Sequence, residues 1–402
     1  MLGASHDQIY AIKIAKSMGL HVVVVDQNPN SPGFAFADDY YVISTRDVPA
    51  LKQFVTNFTQ KKSKIDGVLV MGSDIPDVVS ELSKSLGTFS PSLESSILAT
   101  NKFKMKQQFQ KNKIPIPWFT LITSYDELQQ IIREKGFPLV IKPLDSSGSR
   151  GVFLLNETHD ILQLYKQTSS ISSSGNILVE EYLSGLQIST ETLMYDGIGY
   201  TVGFADRNYE FLKKFSPHII ENGGTIPTKV DDKQKNCIEI LVENAALSLG
   251  ISHGIVKGDI VLTSNGPVII ELAARLSGGD FSESLIPLGT GVNFVKEAIS
   301  LSLGDAPNLE SLKPKWSKIV VNRYFFPSPG ILERIDGISE VLSKSWVKKL
   351  DFWYSPGDMI PEIKSHGDRF GVFILVGDDY IDIEQKIAWV YSKINIIVKK
   401  EI

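Results

Sequence analysis

Residues 255–275 read IVKGDIVLTSNGPVIIELAAR, in which two apolar segments flank a turn-forming Ser-Asn-Gly. Segments rich in β-branched residues on both sides of such a turn predict an antiparallel hairpin. If the turn at 264–266 is a three-residue loop, counting back along both strands places Asp259 opposite Glu271. The hairpin is therefore predicted to carry two carboxylates on one face.

Two carboxylates that face each other across strands repel each other unless a positive charge neutralises them. Carboxylate oxygens are the ligands of Mg²⁺, which proteins hold through one or two carboxylates together with nucleotide phosphates. We therefore predict that Asp259 and Glu271 bind Mg²⁺, with Mn²⁺ as an alternative metal. The competing interpretation is a solvated acid pair at a sheet edge, but Glu271 lies between apolar residues on both sides.

A lysine followed by a loop of small residues lies upstream of this hairpin. Lys142 ends the apolar segment 139–142, and SSGSRG follows at 146–151. Small residues let backbone N–H groups approach phosphate oxygens, and a lysine at a strand end can add a positive charge there. The chain contains no Gly-Lys dipeptide, which excludes a P-loop. A single lysine in such a place is more often solvated, so its assignment to phosphate depends on context.

Arg275 follows Glu271 closely in the sequence. A guanidinium next to a metal can stabilise the charge that develops on a transferring phosphoryl group or on a tetrahedral intermediate. We predict a catalytic role for Arg275. The alternative interpretation is a structural ion pair with Glu271.

The alternation of helical and strand patterns places the chain in the α/β class. Apolar residues at helical spacing in 8–18 precede a strand-like 22–25, the order typical of a doubly wound sheet. Only two residues precede Gly-Ala-Ser at 3–5, so we expect that the opening strand is missing or that another segment takes its place. The predicted parts are an N-terminal α/β domain at 1–91, a helical linker at 92–116, a small lid at 117–183 and a C-terminal domain at 184–402.

Length and composition narrow the class of protein. A chain of 402 residues predicts two or three domains. Its 41 basic and 46 acidic residues give a net charge of -5, which predicts neither nucleic acid nor a membrane surface as partner. No apolar run reaches the ~20 residues of a membrane helix, and the start does not look like a signal peptide, so we expect a cytoplasmic protein. The single cysteine, Cys237, is predicted to be a buried thiol rather than a nucleophile.

Taken in chain order, these features resemble the ATP-grasp superfamily. The residues that carry the resemblance are Lys102, Lys142 with the 146–151 loop, VEEYLSG at 179–185, Asp259, and Glu271-x-x-x-Arg275. The tract 271–304 is the most specific part, and it looks like the carboxylate–amine ligase branch, which includes L-amino-acid ligases and the ATP-grasp part of carbamoyl phosphate synthetase. The resemblance implies an ATP-grasp fold with a Rossmann-like (pre-ATP-grasp) N-terminal domain, an α+β lid and a large antiparallel sheet in the C-terminal domain.

The resemblance also implies contacts at matching positions. Asp259 and Glu271 would bind the metal, and Arg275 would take part in catalysis. The implied ATP-binding residues are Lys102, Lys142, Ser147, Gly148, Ser149, Glu180, Glu181, Tyr182, Leu183 and Gln187. The implied substrate-binding residues are Glu221, His218, Arg275 and Gly278. In the dipeptide ligases a Glu and a His hold the substrate's amino group, but here the position of that His is occupied by Gly224.

The function that the resemblance implies is an ATP-dependent ligase that joins a small-molecule carboxylate to an amine through an acyl phosphate, releasing ADP and phosphate. The resemblance also allows the protein to form a homodimer. The alternative is a carboxylating enzyme that activates bicarbonate, like biotin carboxylase or a purine-biosynthetic carboxylating enzyme. A third interpretation is a nucleotide-binding protein without turnover, although the chain retains both lysines, both acids and Arg275.

Overall fold

The computed structural model describes residues 1–399, and its internal contacts divide the chain into two compact units. Unit 1 comprises Met1–Ile116, Ile188–Phe204 and Val230–Trp316. Unit 2 comprises Pro117–Gln187, Ala205–Lys229 and Ser317–Ile402. Each unit is therefore assembled from segments that are far apart in the sequence.

The structure contains regular elements along its whole described length. The helices are α1 (His6–Ser17), α2 (Val48–Lys61), α3 (Pro76–Leu86), α4 (Leu93–Thr100), α5 (Lys102–Lys111), α6 (Tyr125–Lys135), α7 (Ile161–Ile171), α8 (Leu212–Phe215), α9 (Asp232–Ser248), α10 (Ile286–Thr290), α11 (Phe294–Ser302), α12 (Ile338–Leu342) and α13 (Tyr380–Lys393). The strands are β1 (Val23–Asp26), β2 (Asp39–Val42), β3 (Phe119–Ile122), β4 (Leu139–Pro143), β5 (Phe153–Leu155), β6 (Ile177–Glu181), β7 (Leu186–Tyr195), β8 (Ile198–Arg207), β9 (Gly224–Ile226), β10 (Gly254–Thr263), β11 (Gly266–Ala273), β12 (Ile319–Phe325), β13 (Gly330–Asp336), β14 (Val347–Phe352), β15 (Met359–Ile360), β16 (Gly371–Gly377) and β17 (Asn395–Lys399).

The N-terminal part of unit 1 is built from short parallel segments. β1 pairs with β2 in parallel, and Leu2 forms parallel bridges with both Val25 and Val70. These three residues pack in one core with side chains of α2 and α3. Leu2 therefore lies beside β1, at the position where the opening strand of a doubly wound sheet is expected.

Unit 1 also contains antiparallel strands in the order β11-β10-β7-β8. Side chains of α9, such as Ile238 and Val242, pack with strand residues in one buried cluster. α5 contributes Met105 and Phe109 to the same cluster, and Phe109 has no exposed surface. α5 therefore packs into the core of unit 1, and the helical linker at 92–116 stays a prediction.

Replacing Phe109 by alanine is expected to lower the free energy of unfolding by about 3–5 kcal/mol, because the change removes a fully buried ring and leaves a cavity. Urea unfolding followed by circular dichroism measures this loss. The control is Gln110→Ala at the next, exposed position of α5, expected to change stability by no more than about 0.5 kcal/mol. A Phe109→Ala loss as small as that of the control would contradict a core role for 92–116.

The prediction for Cys237 was wrong, because its thiol is exposed on α9. The buried residues of this helix follow at Ile238, Leu241, Val242 and Ala245. This spacing defines the stripe that faces the core, and Cys237 lies one position before it.

Unit 2 contains a four-stranded antiparallel sheet in the order β3-β6-β4-β5. Leu128 of α6 and Leu164 of α7 pack with the buried side chains of this sheet. The sheet and its two helices lie within 117–183, the range predicted for the lid.

The rest of unit 2 combines further antiparallel strands. The end of β8 pairs with β9, and the strands continue in the order β9-β12-β16-β14. A separate sheet has the order β15-β13-β17. Side chains of α13, including Ile383 and Val390, pack in a core with those of β12 and β16.

The contact pattern groups the chain differently from the predicted boundaries. The ranges 1–91 and 92–116 lie together in unit 1, and 184–402 is shared between both units. The reason is that contacts between distant segments, rather than neighbourhood in the sequence, hold each unit together. The division into four parts stays a prediction about evolutionary domains. Among residues 1–399, no helix has the length and apolar character needed to cross a membrane.

Candidate active site

The predicted opposition of Asp259 and Glu271 is present in the register of β10 and β11. The turn is shorter than predicted, because Thr263 pairs with Gly266 and only two residues remain between them. The register then shifts after Asp259, so that Ile270 is passed over. An extra residue on one strand is a β-bulge, and here it offsets the shorter turn. The pairing was therefore predicted correctly although the loop was not.

Lysines neutralise both carboxylates of this pair in unit 1. Asp259 accepts hydrogen bonds from Lys257 Nζ and, at 3.0 Å, from Ser189 Oγ. Glu271 Oε2 lies 3.6 Å from Lys102 Nζ at the start of α5. The side chain of Asp259 is 18% exposed and that of Glu271 is 27% exposed, so a ligand can reach both from solvent.

Two partly exposed carboxylates on paired strands fit Mg²⁺, which keeps several waters and takes other oxygens from phosphates. Lys102 beside Glu271 adds a positive charge suited to those phosphates. In the described part of the chain, no group of three or more His, Cys, Asp or Glu residues is arranged to hold a metal.

Arg275 forms its ion pair with Asp74 and not with Glu271. Its Nε donates to Asp74 Oδ1 at 2.6 Å, and its Nη1 donates to Leu276 O at 3.1 Å. Burial alone would lower the pKa of Arg275, but Asp74, Glu191 and Glu271 outweigh it and raise that pKa. The guanidinium is therefore fixed in place and stays charged.

Glu191 on β7 is a buried carboxylate that sequence reasoning missed. It has no exposed surface, and its Oε1 accepts hydrogen bonds from Ser277 N and Ser282 Oγ, both at 2.7 Å. Burial raises the pKa of this carboxyl. By accepting the hydrogen bond from Ser277 N, Glu191 fixes the segment that follows Arg275. The only sequence signal is strand alternation, which puts Glu191 on the same face as Ser189.

Gly278, a predicted substrate contact, lies against the start of α1. A Cβ there would be 2.6 Å from Asp7 Oδ2 and 3.1 Å from the Cα of Gly72. No side chain fits at this position, so only the backbone of Gly278 is available to a ligand.

In unit 2, Lys142 is buried and pairs with Glu180 at 2.7 Å. The register of β4 and β6 explains this, because Val140 lies opposite Glu180 and Lys142 two residues further on shares its face. Glu180, predicted to be near adenine, is thus also the counter-ion of Lys142.

The loop after Lys142 has two consecutive residues with a left-handed backbone. Gly148 and Ser149 both have left-handed φ angles, 67° and 59°. Ser147 O accepts a hydrogen bond from Arg150 Nε at 3.1 Å, and Gly148 O accepts one from His366 N at 3.1 Å. His366 ties this loop to a distant segment of the same unit.

The predicted adenine hinge lies where β6 ends at Glu181 and β7 begins at Leu186. Glu181 is exposed, and its backbone N–H donates to Trp118 O at 3.0 Å. Tyr182 and Leu183 are half-buried between the strands, and burial raises the pKa of Tyr182. Gln187, the predicted ribose contact, is also half-buried and is the last residue of its segment of unit 2.

Glu221 lies in a cluster of cationic groups. Arg207 donates to Glu221 Oε2 through Nε at 2.7 Å and also through Nη2, and Arg369 Nη2 donates to Glu221 O at 2.7 Å. Burial alone would raise the pKa of Glu221, but Arg207, Arg369 and His366 outweigh it and lower the pKa to about 2. Glu221 is therefore ionised and already paired.

The histidine beside Glu221 is His366 and not His218. His366 Nε2 accepts a hydrogen bond from Glu221 N at 3.3 Å. The ring of His218 instead packs edge-on against Phe153, with ring centroids 5.1 Å apart, and burial lowers its pKa. Sequence reasoning could not find His366 and Arg369, because they lie 145 and 148 residues from Glu221.

Two family models match the chain. Residues 99–279 match the ATP-grasp domain, and residues 323–399 match the L-amino acid ligase C-terminal domain 2. The first range includes the lysines, both carboxylates of the hairpin and Arg275, whereas the second includes His366 and Arg369.

Individual relatives are similar over nearly the whole chain. Phosphoribosylamine–glycine ligase of Caldanaerobacter subterraneus is 27% identical over 371 residues, covering 88% of this chain and 86% of that protein. The L-arginine-specific L-amino acid ligase of Bacillus subtilis is 22% identical over 363 residues, covering 86% and 84%. The crystal structure of an L-amino acid ligase from Bacillus licheniformis superposes with a TM-score of 0.84 at 19% identity, covering 99% and 98%. The predicted ATP-grasp fold is confirmed: residues 99–279 match the ATP-grasp domain model, and solved ligase structures superpose over nearly the whole chain.

Proposed function

We propose that this protein is an ATP-dependent ligase that forms a C–N bond between a small-molecule carboxylate and an amine. The observation that carries the proposal is the hairpin of the ATP-grasp domain, in which Asp259 lies opposite Glu271 and Lys102 lies beside Glu271. Arg275 follows shortly after the second strand of this hairpin and is fixed by Asp74. The match of residues 323–399 to a domain of L-amino acid ligases favours ligation over carboxylation.

The chemistry begins with a carboxylate, which is a poor electrophile. A carboxylate oxygen attacks the γ-phosphorus of ATP, forming an acyl phosphate and releasing ADP. The amine nitrogen then attacks the acyl carbon, phosphate leaves, and the nitrogen loses a proton to give the amide. Both steps need positioned reactants and neutralised phosphate charge rather than a protein nucleophile.

The side chains divide these tasks. Asp259 and Glu271 hold Mg²⁺, with Mn²⁺ as the alternative, and the metal when bound neutralises phosphate charge. Lys102 and Lys142 contact ATP phosphates. The guanidinium of Arg275 stabilises the charge that develops during transfer.

The remaining assignments belong to the same proposal. Ser147, Gly148 and Ser149 cover the phosphates with their backbone. The residues assigned to adenine and ribose are Glu180, Glu181, Tyr182, Leu183 and Gln187. Glu221 and the backbone of Gly278 are assigned to the substrate, whereas the packing of His218 on Phe153 supports a structural role. A cytoplasmic location and a homodimer are also part of the proposal.

The test measures ADP and phosphate formation from MgATP with pools of amino acids, and separately with bicarbonate plus biotin or aminoimidazole ribonucleotide. We expect turnover that depends on amino acids, one ADP per amide formed, and a hydroxamate when hydroxylamine replaces the amine. Lys142→Gln is expected to remove most of this turnover. Activity only with bicarbonate would support the carboxylase alternative, and nucleotide binding without any turnover would support the non-catalytic one.

A further inference from the structure

We propose that the arginine cluster around Glu221 binds an anionic substituent of the substrate, either a carboxylate or a phosphate. The cluster is defined as Arg207, Arg369 and Glu221, and all three residues belong to unit 2. The inference rests on the proposed ligase function and specifies the charge class of the substrate that the enzyme accepts.

Arg369 has a buried donor that is not used by any described residue. The residue is 7% exposed, and its guanidinium lies 3.9 Å from the centre of the Tyr324 ring. One nitrogen donates to Glu221 O, but the buried Nε has no hydrogen-bond partner among residues 1–399. A buried donor without an acceptor is costly, and a guanidinium is suited to carboxylate and phosphate oxygens.

The charges in the cluster are unequal. Glu221 is the carboxylate that pairs with both arginines. Asp206 precedes Arg207 on β8, but its carboxylate accepts a hydrogen bond from Thr228 and points to the other face of the strand. Two guanidinium groups therefore share one carboxylate, whose side chain is 16% exposed.

The carboxylate of Glu221 is already engaged by an arginine. The resemblance implies that a glutamate here holds the substrate's amino group, but Arg207 already occupies its carboxylate. A second cation would have to displace this arginine, whereas an anion would complete the cluster. Glu221 is then a positioning residue that orients Arg207. His366 forms hydrogen bonds with Glu221 and with Gly148 of the proposed phosphate loop. We therefore assign the anion to the substrate rather than to adenine.

The first arm of the test measures binding and does not depend on turnover. Succinate and inorganic phosphate are titrated, at constant ionic strength and with saturating MgADP, and succinamide serves as the neutral probe. We expect at least one anion to bind saturably and succinamide not to bind. Arg369→Gln should weaken anion binding about 10- to 100-fold, and Arg207→Gln should act in the same direction.

The second arm compares substrates that differ mainly in charge: aspartate with asparagine, glutamate with glutamine, and phosphoserine with serine. We expect the wild type to prefer the charged member of one pair, which identifies carboxylate or phosphate as the group. Arg369→Gln should remove this preference by raising the KM for the charged substrate, without changing the KM for ATP. Arg369→Lys should restore part of the preference. The control is Arg334→Gln on β13, an exposed arginine paired with Asp336.

The two hypotheses fail in different ways. The anion site is overturned, and the ligase function stands, if the enzyme turns over neutral and charged substrates alike and neither arginine variant changes this selectivity. Specific anion binding that Arg369→Gln abolishes, without turnover on any amino acid, would support the site and contradict the function. Unchanged thermal stability and MgADP affinity show that a variant is folded, and if Arg369→Gln fails this check, Arg207→Gln decides the outcome.

Discussion

Glu271→Gln is expected to lower the kcat for substrate-dependent ADP formation by about 10²- to 10³-fold. The amide keeps the shape of the side chain but loses the negative charge that would hold the metal opposite Asp259. Stability should respond differently, because the substitution removes one of two like charges that face each other across strands, and Asp259 keeps its own lysine partner, Lys257. We therefore expect a free energy of unfolding within about 1 kcal/mol of the wild type.

The measurement combines steady-state kinetics with the affinity for ADP at increasing Mg²⁺. In the wild type, Mg²⁺ should tighten ADP binding, and this gain should be lost in both Glu271→Gln and Asp259→Asn. Glu94→Gln, at an exposed position of α4, is the matched control and should behave as the wild type. Wild-type kcat and wild-type Mg²⁺ dependence in both hairpin variants would refute the metal assignment.

Features that depend on neighbouring residues could be predicted from the sequence. The opposition of Asp259 and Glu271 follows from one hairpin, and the position of Lys142 follows from the end of one apolar strand. The turn was predicted one residue too long, and a bulge near Ile270 offset that difference. Local patterns thus indicated the carboxylate pair and placed Lys142 at a strand end, because both features are formed by short segments.

Contacts between distant segments could not be predicted in this way. Asp74 and Arg275 are 201 residues apart, and Glu221 is 148 residues from Arg369. No spacing rule connects such positions, because their proximity depends on how whole segments pack. The same reason applies to α5, because only the packed structure shows that Phe109 is in the core.

Arg275→Gln is expected to lower kcat by about 10³-fold or more, because an arginine that stabilises a transferring phosphoryl group contributes on this scale. The KM for ATP should change much less if the guanidinium acts mainly on the transition state. Arg275→Lys should recover little activity, since an ammonium lacks the planar fork of donors. Steady-state kinetics on folded variants, verified by thermal unfolding, measures these effects.

The pair with Asp74 separates the structural contribution of Arg275 from the catalytic one. Arg275→Gln alone leaves the partly buried Asp74 without its counter-ion and should cost about 1–3 kcal/mol of stability. Adding Asp74→Asn removes the unpaired charge, so the double variant should regain much of this stability while its kcat stays low. Asp74→Asn alone keeps an acceptor for Arg275 Nε and should lower kcat only moderately, as expected of a positioning residue. If the double variant regained activity together with stability, Arg275 would be a structural residue, and the catalytic assignment would be wrong.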